Sequence, residues 1–197
     1  MSTRPHHIRK LQTTRQAQVI ETLQGRSVVM VGLMGSGKTT VGRRLASALS
    51  LPFFDADQEI EFAAGMTISD IFESHGEQHF RDGERKVIAR LATGKQCVLA
   101  TGGGAFIDQV TRHLILNTCI SIWLRGELAL LLKRVSHRSN RPLLKSKPEV
   151  VMKHLIEERY PIYANANIMI ESRDIPHELI VNEIITRLTE YDHQSNE

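Results

Sequence analysis

The residues best placed to do chemistry stand at 32 to 40, in the run Gly-Leu-Met-Gly-Ser-Gly-Lys-Thr-Thr. The pattern glycine-x-x-x-x-glycine-lysine-threonine follows Val28-Val29-Met30-Val31 and precedes a helical pattern, which is the strand, loop and helix setting of a phosphate-binding loop. Gly32, Gly35 and Gly37 let the backbone turn its N–H groups inward, and the helix starting near Lys38 aims a positive dipole end at the same anion. Lys38 brings a mobile charge for β and γ phosphates. Thr39 offers a hydroxyl to Mg²⁺. A glycine-rich turn that carries a lysine by accident would need strand, spacing and helix all to coincide.

Further candidates follow in chain order. Asp55-Ala56-Asp57 comes after the short apolar stretch Phe53-Phe54, at the carboxyl end of a strand, where open α/β sheets bind ligands. Read as extended chain, the two carboxylates share a face and reach one cleft, one toward metal and one toward an acceptor. The same residues also suit a helix N-cap followed by an acidic first turn. Arg81 and Glu84 fall three apart on a predicted helix and pair either as a site or as a surface ion pair. Strand Cys97 to Ala100 runs into Thr101-Gly102-Gly103-Gly104 with no aspartate at its end, so Asp55 is the nearest carboxylate for a metal. Three glycines there allow a ligand close to the backbone, or simply a flexible turn. Between Arg125 and Lys147 stand seven basic residues and one acidic, Glu127, so Ser136 to Leu143 reads either as a solvated basic loop or as the source of an arginine that closes over a triphosphate.

Apolar periodicity supplies the elements that hold these residues. Val41, Leu45, Ala48 and Leu49 predict a half-buried helix after the loop, and Thr67-Ile68-Ser69-Asp70 predicts a capping box opening a helix that stops near Gly76. Another helix is expected from Glu77 to about Leu91, so residues 57 to 91 hold more helix than a crossover needs and resemble an inserted substrate cap. Asp108 caps a helix to Leu116, Cys119 to Leu124 forms a buried strand with Trp123 in the core, Asn167 to Glu171 forms the last strand, and Pro176 opens the last helix.

At 197 residues the chain is about one domain, and 41% hydrophobic with 24% charged residues is ordinary globular composition. No apolar run is long enough to span a bilayer and the N-terminus lacks a signal-peptide core, so a cytoplasmic protein without membrane contact is expected. Cys97 and Cys119 sit in apolar strands and read as small buried hydrophobes. Residues 1 to 26 carry Arg4, Arg9, Lys10, Arg15 and Arg26 against Glu21, more net charge than the whole chain's +3. The pI near 9.0 therefore belongs to this extension and argues poorly for nucleic-acid binding by the domain. The extension reads as solvated, with a helix around Arg15 to Gln24 docking through Val19, Ile20 and Leu23; a weak nucleic-acid or partner contact is the alternative.

Taken together, the chain resembles the shikimate kinases, of the nucleoside-monophosphate-kinase-like group of phosphate-loop folds, over about residues 26 to 190. The marks are the loop at 32 to 39, Asp55-x-Asp57, Phe80-Arg81 with Glu84, Gly102-Gly103-Gly104, Arg141-Pro142-Leu143-Leu144 and Arg159-x-Pro161-x-Tyr163. The resemblance implies an α/β fold with a five-stranded parallel sheet of order 2-3-1-4-5, a cap at about 57 to 84 and a lid at about 136 to 147. It implies a shikimate site at Asp57, Arg81, Glu84, Gly102, Gly103, Gly104 and Arg159, and a nucleotide site at Gly35, Ser36, Gly37, Lys38, Thr39, Thr40 and lid Arg141. Arg134 and Pro176 would flank the adenine, although Ser172-Arg173-Asp174-Ile175 departs from the family pattern. Lys38, Asp57 and Arg141 take the catalytic roles, and Thr39 and Asp55 face Mg²⁺. The expected activity is transfer of the γ-phosphoryl of ATP to the 3-hydroxyl of shikimate, by a monomer. A gluconate kinase of the same fold and a nucleotide-dependent binding protein are the rivals.

Overall fold

Alternation along one strand divides the molecule into two apolar layers. In β1 (Ser27–Val31) every residue is buried; Val29 and Val31 pack into one core and Val28 and Met30 into the other, on opposite faces of the sheet. The computed structural model describes the backbone of residues 4–136 and 147–191 and the side chains of 14–136 and 147–191. Five parallel strands pair in the order β2-β3-β1-β4-β5, as expected from the resemblance. They are β2 (Phe53–Asp55), β3 (Val98–Ala100), β4 (Cys119–Gly126) and β5 (Ile168–Ser172) around β1. Register places Val28 beside Val98 on one side and beside Ile120 on the other.

One face is covered by α1 (Arg4–Leu23), α2 (Lys38–Leu49) and α8 (His177–Thr189), the other by α4 (Ile68–Ala92), α5 (Gln109–Thr118) and α7 (Pro148–Tyr163). Two shorter helices complete the described chain, α3 (Ala56–Ala64) and α6 (Leu128–Ser136). α3 ends at Gly65, in the left-handed conformation a C-cap favours. The Thr67 and Asp70 capping box forms, and Gly76 breaks the helical path at φ 79°, so α4 is two helices set end to end rather than two separated by a loop.

α1 is longer than expected, running back to Arg4 instead of starting near Arg15. Its C-terminal end docks as predicted: Val19 and Leu23 are fully buried and Ile20 packs against the same core. The Gln16 amide also donates to Leu49 O and Ser50 Oγ, satisfying groups at the C-terminus of α2. Cys97 and Cys119 are buried free thiols, with burial pushing both up from the ordinary thiol range. Among the described residues no helix is long and apolar enough to cross a membrane.

Candidate active site

The phosphate-type loop leaves the carboxyl end of β1 and enters α2 at Lys38. Gly37 takes φ 99°, a conformation that an L side chain rarely adopts, so the local path of the loop depends on glycine there. Lys38 is 9% exposed, and its Nζ donates to the carbonyls of Gly32 (2.8 Å) and Leu33 (2.9 Å), which holds the ammonium inside the curve of the loop. Thr39 Oγ1 donates to Asp55 Oδ2 at 2.8 Å. The other carboxylate oxygen of Asp55 accepts from the Asp57 backbone N–H at 3.2 Å.

That contact corrects the extended reading of Asp55-Ala56-Asp57. Asp55 ends β2 and is the N-cap of α3, while Asp57 lies in the first helical turn, so helix geometry and not strand alternation brings the two carboxylates to one cleft. Both line it.

The cleft encloses about 870 Å³. The loop and the start of α2 contribute Gly35, Gly37, Lys38, Thr39 and Thr40 to its lining; α3, α4, the glycine run after β3 and α7 contribute Asp57, Arg81, Glu84, Gly102, Gly103, Gly104 and Arg159. Arg81 Nη1 and Glu84 Oε2 are 2.7 Å apart, and Glu84 is 2% exposed, so this is an ion pair of the cleft wall and not of the outer surface. Burial pushes the Glu84 carboxyl up from its ordinary value, opposed by the Arg81 guanidinium. A Cβ on Gly104 would lie 2.7 Å from an Arg81 guanidinium nitrogen, and one on Gly102 would lie 2.9 Å from Asp57 Oδ1 and 3.1 Å from Glu84 Oε1. Gly102 and Gly104 thus lie against three charged side chains, whose ends would have to shift to admit a side chain at either position.

Arg159 Nη1 donates to Gly103 O at 3.4 Å, and its Nε is buried with no hydrogen-bond partner among the described residues. The Tyr163 hydroxyl donates to the same carbonyl from the packed side, between Phe106, Trp123 and Tyr160.

At the other end of the cleft, Arg134 lies against the loop, donating to Gly35 O, Ser36 O, Ser172 Oγ and Arg173 O. Pro176 is the exposed N-cap of α8 and is not part of the cleft lining; the next residue, His177, is. Ser36 is buried beneath the loop surface. Arg141 and most of the expected lid, 137 to 146, lie outside the described residues. The motifs also passed over Met34, Thr101 and His177, which line the cleft, and Ser172 and Tyr163, which support it. Of these only His177 stood outside every quoted run; the others were quoted without being given a role.

A phosphate-type loop at the end of a central strand, a parallel sheet in this order and a helical insert facing the loop together define a phosphate-loop kinase of the nucleoside-monophosphate-kinase-like fold. The shikimate kinase family model matches residues 34–189, and the chain belongs to the shikimate kinase family. It is 54% identical over 178 residues to the shikimate kinase of Rhodopseudomonas palustris, covering 90% of this chain and 88% of that one. Identity is 53% with the Caulobacter vibrioides shikimate kinase, covering 84% of each. Among solved structures, the shikimate kinase from Acinetobacter baumannii in complex with shikimate superposes with a TM-score of 0.82 at 35% identity, covering 91% of this chain and 99% of that one. A gluconokinase from Sinorhizobium meliloti shares the fold alone, with a TM-score of 0.57 at 18% identity over 84% of this chain and 93% of that one.

Proposed function

We propose that this chain transfers the γ-phosphoryl group of ATP to the 3-hydroxyl of shikimate, giving shikimate 3-phosphate and ADP in aromatic amino-acid biosynthesis. The observation that carries the reading is that Arg81, Arg159 and Asp57 line the same cleft as the phosphate loop. A small hydroxylated carboxylic acid needs that set. A guanidinium pairs a carboxylate in fork geometry, and a carboxylate accepts from a hydroxyl.

In this reading Gly35, Ser36, Gly37, Lys38, Thr39 and Thr40 bind the phosphates, with backbone N–H groups and the Lys38 charge opposing the negative charge of the transferring group. Arg134, which lines the cleft, flanks the adenine on one side; Pro176, outside that lining, is given the other side on the sequence resemblance alone. Shikimate lies against Asp57, Arg81, Gly102, Gly103, Gly104 and Arg159, while Glu84 holds Arg81. Asp57 accepts the proton of the 3-hydroxyl as its oxygen bonds to the γ-phosphorus and the bond to the ADP oxygen breaks. Arg141 reaches the transferring phosphoryl from the lid, a role that rests on the sequence resemblance alone. Arg141→Ala is expected to lower kcat by on the order of 10³-fold with shikimate affinity nearly intact.

Thr39 and Asp55 are hard oxygen donors 2.8 Å apart beside Lys38, a donor set that fits Mg²⁺ better than a softer metal. When bound, the ion neutralises charge on the β and γ phosphate oxygens. We also read residues 26–190 as one kinase domain with a cap at 57–84 and a lid at 136–147, preceded by a basic extension and followed by a short tail, acting as a cytoplasmic monomer without nucleic-acid partners.

The test is product analysis by phosphorus and proton NMR. With ATP, Mg²⁺ and shikimate, one phosphomonoester at the 3-oxygen should accumulate in step with ADP. A phosphate at another position, or ADP with inorganic phosphate only, contradicts the reading.

A further inference from the structure

A loop that cradles phosphate with its N–H groups must send its carbonyls the other way, and those carbonyls need donors. The donor behind Ser36 comes from the far edge strand. Ser172, last residue of β5 and 8% exposed, donates through Oγ to Ser36 O at 2.7 Å, across 136 residues of sequence. The same hydroxyl accepts from Arg134 Nη1 at 2.9 Å. Arg134 Nη1 also lies 3.3 Å from Gly35 O and 3.4 Å from Ser36 O, longer contacts than the hydroxyl makes. Ser36's own hydroxyl is buried without a partner among the described residues, so among side-chain contacts it is the carbonyl of this residue that is held.

We infer that Ser172 is a positioning residue for nucleotide phosphate, acting through the peptide unit between Ser36 and Gly37. That peptide is trans, so the Gly37 N–H points opposite to the Ser36 carbonyl. Fixing the carbonyl outward on Ser172 fixes the N–H toward the cleft that Gly37 lines. Gly37 at φ 99° has no side chain to hold this orientation, and glycine is the residue with the widest conformational choice. Ser172 therefore supplies from outside the restraint that the loop gives up by using glycine. Because its hydroxyl also receives the Arg134 guanidinium, one group links the proposed adenine side of the cleft to the phosphate side.

The inference rests on the reading of this cleft as an ATP site, and its test is arranged to be separable from the choice of acceptor. Ser172→Ala, Ser172→Thr and Ser172→Val are compared with the unaltered protein. The Thr and Val variants have nearly the same shape and differ in the hydroxyl, so crowding by the added methyl groups cancels between them. MgADP binding is measured by calorimetry without any acceptor, and KM for ATP, KM for shikimate and kcat are measured separately. One positioned hydrogen bond corresponds to about a tenfold change, so the Ala and Val variants should bind MgADP about tenfold more weakly and raise KM for ATP to match. KM for shikimate should stay within about twofold, and the Thr variant should hold ADP far more tightly than the Val variant.

Equal MgADP affinity for the Thr and Val variants overturns the inference. So does a parallel rise in both KM values tracking a fall in melting temperature, since that marks a packing role only. If the unaltered protein binds MgADP but does not phosphorylate shikimate, the acceptor reading fails while the ADP comparison still decides the role of Ser172. If it binds no MgADP, both fall.

Discussion

Asp55 and Asp57 are two residues apart and reach the cleft by different means, one as a helix cap hydrogen-bonded to Thr39 and the other from the helix that cap begins. Their substitutions should therefore separate. Asp55→Asn weakens the oxygen donor next to Thr39 and should raise the Mg²⁺ concentration needed for half-maximal rate, with kcat at saturating Mg²⁺ less affected. Asp57→Asn should lower kcat by roughly 10²- to 10⁴-fold with little change in Mg²⁺ or ATP requirement, because it removes the acceptor's proton partner. Titrations of rate against Mg²⁺ and against shikimate for both variants check this, and a change in metal dependence alone for Asp57→Asn would move that residue to the metal side. Gly104→Ala places a methyl 2.7 Å from the Arg81 guanidinium and should raise KM for shikimate while leaving ATP binding near normal. At this scale the loop was legible because its chemistry is local, with glycine, lysine and threonine at fixed offsets. Ser172 was not legible, because its partner lies 136 residues away and a serine at a strand end carries no signal of its own.

Helix α5 shows how an element near the site is secured. Its N-cap Asp108 accepts from the Thr111 N–H at 2.9 Å and pairs with Arg85 of α4 at 2.8 Å, joining the glycine loop's exit to the helix that carries Arg81 and Glu84. The Arg85 hydrogen bond, helped by those to Thr111, holds the Asp108 carboxyl down to about 2 from its ordinary 3.8. A lowered carboxylate contributes stability that is present above pH 3.8 and is lost as pH falls toward 2. Denaturant midpoints should accordingly fall across that window in the unaltered protein and fall less steeply in Asp108→Asn. An identical slope in the two would mean that this cap contributes nothing to acid sensitivity. The caps at Asp108 and Thr67 and the break at Gly76 were readable from sequence, since each is set within four residues. The Asp55 segment was read two ways, because strand end and helix cap share the same residues and only the following hydrogen bond distinguishes them.

For the whole molecule, the least expected feature is how far the basic N-terminal segment is built in. α1 buries Val19 and Leu23 completely and reaches the C-terminus of α2 through Gln16, so α1 braces the far end of the helix that the phosphate loop leads into. Deleting residues 1–25 removes two buried apolar side chains worth about 3–6 kcal/mol. The melting temperature should drop by on the order of 10 °C, and an unchanged melt would show that the docking carries no stability. The docking residues were legible from their apolar spacing. The rest of α1 was not, since its first turns are polar and basic and carry no apolar periodicity. The sheet order and the family were legible because several short motifs recur in one order along the chain, each weak alone. What the whole arrangement claims is that one cleft brings an ATP phosphate and a hydroxylated carboxylic acid together. The most direct measurement of that claim is Mg²⁺-dependent ADP release with shikimate, gluconate, a nucleoside monophosphate or no acceptor. Shikimate alone should stimulate release well above the no-acceptor rate; equal turnover with gluconate, or release indifferent to every acceptor, would contradict the account.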